Sequence, residues 1–251
     1  MLGGVSDKWY FKEDAVYYQD VPLSFLRAKL SLPKCVRQTL LISKNLGEMK
    51  RIIETGLLVL AIMASFSAFK PNEILSLGKK APMADLPMAD ISGKEFTLSQ
   101  LKKEKGLLVV FSCNTCPFVL AWEDQYPALN ELTAKYDIGM VLVNSNEKKR
   151  QGDDSLEEMK KHAAEMNYNL PYVMDSNSKL ADSFGAKTTP HVFLFDGDMK
   201  LVYRGSINDK YESKSKEASK HYLKEALEQL NAGEEISNND TREIGCSIKR
   251  V

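Results

Sequence analysis

Two cysteines, Cys113 and Cys116, constrain this chain more than any other feature. They stand directly after the apolar run Leu107–Phe111 and directly before Pro117. A short continuous apolar run predicts a strand covered on both faces. Proline is favoured at the first position of a helix. The spacing therefore puts two thiols at a strand-to-helix turn, where free amides and the helix dipole favour a thiolate. On that reading Cys113 is the more exposed and more acidic sulfur and acts as nucleophile. Cys116, one turn on, resolves the mixed disulfide. Zinc sites use the same spacing but ordinarily need a second pair or two nearby histidines. His162, His191 and His221 are scattered and Cys246 is remote, so no metal and no other cofactor is expected.

Composition narrows the partners. Lys plus Arg is 34 and Asp plus Glu is 34, so the chain carries no net charge. It has no clustered positive charge with which to hold nucleic acid or an anionic membrane. Proteins or small molecules bearing disulfides or thiols remain, together with an external electron donor. Four cysteines are too few for a disulfide scaffold.

Along the chain, Met49-Lys50-Arg51 precedes an apolar run from Gly56 to Phe69 that ends among small residues. This pattern reads as a secretory signal peptide over 49–68, with Met49 the expected start and 1–48 a doubtful extension. An exported, periplasmic or extracytoplasmic protein is the expectation. The alternative is a real extension carrying a buried helix or a short membrane anchor, although a span needs about 20 residues. Cys35 receives no role. From 77 to 233 the order is strand, helix, strand, helix, strand, hairpin, helix, which predicts one α/β domain with helices on both faces of its sheet. Phe118 to Tyr136 has helical spacing with a kink at Pro127, Ser155 to Glu158 forms a capping box, and Gly185 stops a short helix. Asp196-Gly197 signals a hairpin, and a last helix is expected near Ser215 to Asn231. Residues 234–251 form a polar tail without apolar periodicity.

Thr188-Thr189-Pro190 stands immediately before another apolar run. A strand, a Cys-x-x-Cys pair and a helix, followed by Thr-Pro at a strand start, resemble the thioredoxin superfamily. Gly78 to Pro82, Phe111 to Pro117, Asn144-Ser145-Asn146, Phe193 to Asp196, Tyr203-Arg204-Gly205 and Gly245 to Lys249 resemble its peroxiredoxin-like, redoxin-type branch over about residues 75–250. The resemblance implies a thioredoxin-like α/β fold with a central mixed sheet. It also implies a cis bond before Pro190, packed against the cysteine pair, with Thr189 offering its backbone to an extended substrate and Pro190 shaping the groove. Two positions depart from the branch. Cys113 stands where a peroxiredoxin has threonine three residues before its peroxidatic cysteine, and Arg250 stands where the tail would carry an aromatic.

The expected activity is thiol–disulfide oxidoreduction. A peroxidase reducing hydroperoxides through Cys116 or Cys113 is the alternative, and a copper or zinc carrier using the pair and His191 is a second one. His191 is expected to be a packed strand residue, while His162 and His221 are expected on solvated helix faces. Asn144 to Asn146 either line a site at a strand's carboxyl end or simply turn the chain. Cys246 has no core to occupy, and an exported protein rarely keeps a free thiol. It is expected to be a third redox cysteine exchanging with Cys113 or Cys116, its flanks Ile244 and Ile248 anchoring the tail beside Pro190.

Overall fold

Leu107–Phe111 lies within strand β5 (Gly106–Ser112), and the next apolar run forms β6 (Ile138–Asn144); every residue of both is buried. They lie parallel at the centre of a sheet, and β6 runs parallel to β7 (Tyr172–Met174). On the other side β9 (His191–Asp196) pairs antiparallel with β5, and β10 (Leu201–Gly205) with β9. Beyond β7 come β3 (Met88–Asp90) and β4 (Glu95–Phe96), both antiparallel, giving seven strands in the order β10-β9-β5-β6-β7-β3-β4. This is a thioredoxin-like mixed sheet. The computed structural model describes residues 73–211 and 218–251, with the backbone of a hairpin, β1 (Tyr10–Lys12) and β2 (Ala15–Tyr17). That hairpin belongs to a separate compact unit, Met1–Phe69. The expected signal segment over 49–68, the start at Met49 and Cys35 lie outside the described residues.

Alternate residues of β5 feed two cores. Leu108 and Val110 join Cys113, Cys116, Trp122, Tyr126 and Leu142 on one face, with Leu223, Ala226 and Leu227 of helix α6 (Tyr222–Ala232). Leu107, Val109 and Phe111 join Phe184, Phe193 and Phe195 on the other, against α1 (Leu98–Leu101) and α5 (Lys179–Phe184). Side chains alternate across a strand, so a run covered on both sides must be apolar throughout.

Several boundaries differ from expectation. The helix expected from Phe118 to Tyr136 is broken into α2 (Pro117–Leu120), a 3-10 turn at Glu123–Gln125 and α3 (Tyr126–Lys135). Pro127 sits in the first turn of α3, where its missing N–H costs nothing, so it starts a helix instead of kinking one. Trp122 turns at the break and donates its indole N–H to Asn208 at 2.7 Å. The last helix begins at Tyr222, after a non-helical approach over 218–221; Ser215, its expected start, lies outside the described residues. The Asp209 carboxylate takes the backbone amides of Ser219 and Lys220 at 2.8 and 3.0 Å and holds that approach out of helical geometry. In the hairpin the left-handed residue is Met199 (φ 60°); Gly197 is needed because a Cβ there would lie 2.5 Å from the Glu104 carbonyl oxygen. The tail is seated in the fold: Ile236 and Ile248 are buried, and strand β11 (Cys246–Ser247) pairs with β8 (Thr188–Thr189).

Candidate active site

The loop between the two cysteines leaves the end of β5 and is pinned by a polar cluster. The Asn114 amide donates to the Asp154 carboxylate at 2.9 Å, and its side-chain nitrogen donates to the Asp153 carbonyl at 2.7 Å. The Tyr172 hydroxyl donates to Asn114 Oδ1 at 2.9 Å. Asp154 also accepts from Asn144 Nδ2 at 2.8 Å and Asn146 Nδ2 at 3.0 Å. All five of these side chains are buried, so each hydrogen bond offsets a desolvation cost. Asn144 and Asn146 thus turn the chain and also support the site. Asp154 and Tyr172 were not legible as site residues in the sequence. Asp154 lies just before Ser155, the cap of helix α4 (Leu156–Glu165), in a polar stretch where an acid is unremarkable.

Thr189 is where the sulfurs meet. The Thr189–Pro190 bond is cis. Cys113 Sγ lies 3.3 Å from the Thr189 hydroxyl, and Cys116 Sγ donates to the Thr189 carbonyl at 3.2 Å. Across the β8–β11 ladder, Thr189 stands in register with Cys246. Cys246 is half-buried against the core that holds Cys113 and Cys116, close enough to Cys116 for the two thiols to shift one another's acidity. The structure therefore brings Cys113, Cys116, Cys246, Thr189 and Pro190 into one cluster.

The acidity of the pair reverses the expected order. Cys113 and Cys116 are 2% and 5% exposed, so Cys113 is not the more open thiol. The hydrogen bond from Cys113 draws the Cys116 thiol down to about 4, helped by Cys246 and by the Val119 amide. Cys113 is pushed up, because it is the donor to Cys116, is deeply buried and faces the Asp154 charge. The expected helix end does not lie under Cys113. Helix α2 is a single four-residue turn, and Cys116 occupies its cap position. Of the two thiols Cys116 is the one drawn toward the charged form, and on losing its proton it gives up its bond to the Thr189 carbonyl.

The histidines stay out of the site. His191 is fully buried on strand β9, its ring 4.5 Å from that of Phe193 and tilted 40° to it, on the sheet face opposite the cysteines. It cannot join them around a metal. His162 is not a solvated helix residue: its Nε2 lies 2.7 Å from the buried Glu123 carboxylate, which also accepts from the Tyr168 hydroxyl at 2.8 Å. His221 is exposed at the start of α6. Among the described residues no group of three or more His, Cys, Asp or Glu side chains is arranged to hold a metal ion.

A thioredoxin-like sheet with a cysteine pair beside a cis-proline strand start defines a thioredoxin-fold oxidoreductase. The Redoxin family pattern matches residues 76–220, and the chain belongs to that family. It is 23% identical over 172 residues to the thiol-disulfide oxidoreductase ResA of Geobacillus thermodenitrificans, covering 63% of this chain and 90% of that one. Among solved structures it is similar to an uncharacterized conserved protein of Geobacillus kaustophilus, with 32% identity and a TM-score of 0.65 over 71% of this chain and 94% of that one. A hypothetical protein of Sinorhizobium meliloti 1021 is 28% identical with a TM-score of 0.66, over 71% and 97%.

Proposed function

We propose that the protein exchanges disulfides with protein or small-molecule thiols through Cys113 and Cys116, with Cys116 as the attacking thiolate. The observation that carries this reading is the convergence of the Cys113 and Cys116 sulfurs on Thr189, at 3.3 and 3.2 Å, with Cys113 drawing the Cys116 thiol toward its charged form. A thiolate attacks one sulfur of a client disulfide and expels the other. Cys113, already within hydrogen-bonding reach, then attacks the Cys116 sulfur and releases the client as a dithiol. An external thiol donor returns the pair to the reduced state. The ResA relative bears the name of this activity.

A peroxidase is the second reading, favoured by the same acidic Cys116, since a thiolate also attacks a hydroperoxide. Parallel steady-state assays with dithiothreitol as donor separate the two. Insulin reduction abolished in Cys116→Ser, with peroxide consumption no faster than in that variant, is the expected result. Rapid peroxide consumption without insulin reduction would overturn the disulfide reading.

A further inference from the structure

The Cys113–Cys116 pair accounts for two of the three thiols that converge on Thr189. Cys113 contacts its hydroxyl, Cys116 its carbonyl, and Cys246 faces it across a strand pair. The position of Cys246 is built, not incidental. Ile244 packs against the core that holds both other cysteines, and Ile248 is buried in the opposite core. The Ile248 amide donates to the Lys187 carbonyl at 3.0 Å, and the Lys249 amide to Asn146 Oδ1 at 2.8 Å. Arg250 closes an ion pair with Asp182 at 2.6 Å. Gly245 passes so close that a Cβ would sit 2.2 Å from the Thr189 carbonyl oxygen. These contacts hold Cys246 beside Cys116, opposite Thr189 in the β8–β11 pair.

We infer that Cys246 is a second resolving cysteine, so that Cys116 closes a disulfide either with Cys113 or with Cys246 and the two bonds interchange. The inference rests on Cys116 attacking client disulfides as proposed above. After that attack, Cys246 gives its proton to the departing client thiolate and attacks the Cys116 sulfur. The second client sulfur is expelled, and the Cys116–Cys246 bond forms. Interchange needs no further oxidant: the Cys113 thiolate attacks the Cys116 sulfur and displaces Cys246, which takes up the proton, and the reverse step restores the first bond. Cys246 is half-buried whereas Cys113 is 2% exposed, so interchange carries the disulfide outward to where an electron donor reaches it.

The test uses the full chain in a Cys35→Ser background, leaving three thiols. One equivalent of glutathione disulfide is added, the reaction is acid-quenched, and non-reducing peptides are mapped by mass spectrometry. The three-thiol protein is expected to show both Cys113–Cys116 and Cys116–Cys246 peptides. Cys113→Ser is expected to show Cys116–Cys246, and Cys246→Ser to show Cys113–Cys116 alone. Finding only Cys113–Cys116 in the three-thiol protein, with Cys113→Ser stalled as a glutathione adduct on Cys116, overturns the inference and leaves the proposed function standing. Failure of Cys113–Cys116 to form in Cys246→Ser overturns the proposed function, and the inference with it.

Discussion

Replacing His191 with leucine should flatten the acid limb of the protein's stability. The imidazole is fully buried, and neither ring nitrogen has a hydrogen-bond partner. Burial, reinforced by the charges of Arg204 and Lys187, lowers its pKa from 6.5 to about 3. The fold therefore holds His191 neutral, while the unfolded chain takes up a proton as pH falls through 6.5. Its contribution is fully present above pH 6.5 and is lost progressively as pH drops toward 3. Each pH unit in that window carries about 1.4 kcal/mol. At pH 5 the loss is on the order of 2 kcal/mol, or about 4–8 °C in melting temperature for a chain of this size. His191→Leu removes the titration, and because it removes two unpartnered polar atoms it should not destabilise the protein at pH 7. Thermal melts of both proteins from pH 7 to 5 measure the difference. Parallel curves, separated by a constant offset, would refute the reasoning.

Gly245→Ala should push the tail from Thr189, because the new Cβ meets backbone atoms at 2.2 and 2.7 Å, at a cost of about 1–3 kcal/mol. Iodoacetamide should then label Cys246 faster than in the parent, and an unchanged rate would show that the tail is not held there. Asp154→Asn turns an acceptor of three hydrogen bonds into a partial donor and should cost about 1–3 kcal/mol in a thermal melt. Removing that charge should also lower the Cys113 pKa, read as faster alkaline alkylation of Cys113. In the parent protein Cys116 should be alkylated before Cys113. Its rate should stay nearly level above about pH 5, since the thiolate is already formed above about 4. A rate that climbs with pH as for an ordinary thiol, or Cys113 modified first, would refute the assignment of charge.

The sheet was legible because its central strands need apolar residues at every position, and Leu107–Phe111 and Gly139–Val143 announce that without help from distant contacts. Gly185, Pro190 and the two cysteines were legible for a similar reason, each being demanded by local backbone or chemistry. Which sulfur carries the charge was not. That depends on Cys113 and Cys246 both lying against Cys116, and on α2 being one turn long, and neither follows from spacing. Asp154 escaped because it lies forty residues from Asn114 and meets it only once β5 and β6 are side by side. His162 looked solvated for want of a partner in its own helix, when its partner Glu123 lies in another segment.

The ladder between β8 and β11 also imposes an order of events during synthesis. Chains are made from the amino end and fold as they emerge. The residues of β5, the cysteine turn and the strand before His191 are all available well before Gly245 to Ile248. For that interval Cys116 has Cys113 beside it but lacks Cys246, which helps lower its pKa. The nascent domain therefore carries a less shielded and less acidic sulfur than the finished one, and its redox behaviour matures only when the later segment arrives.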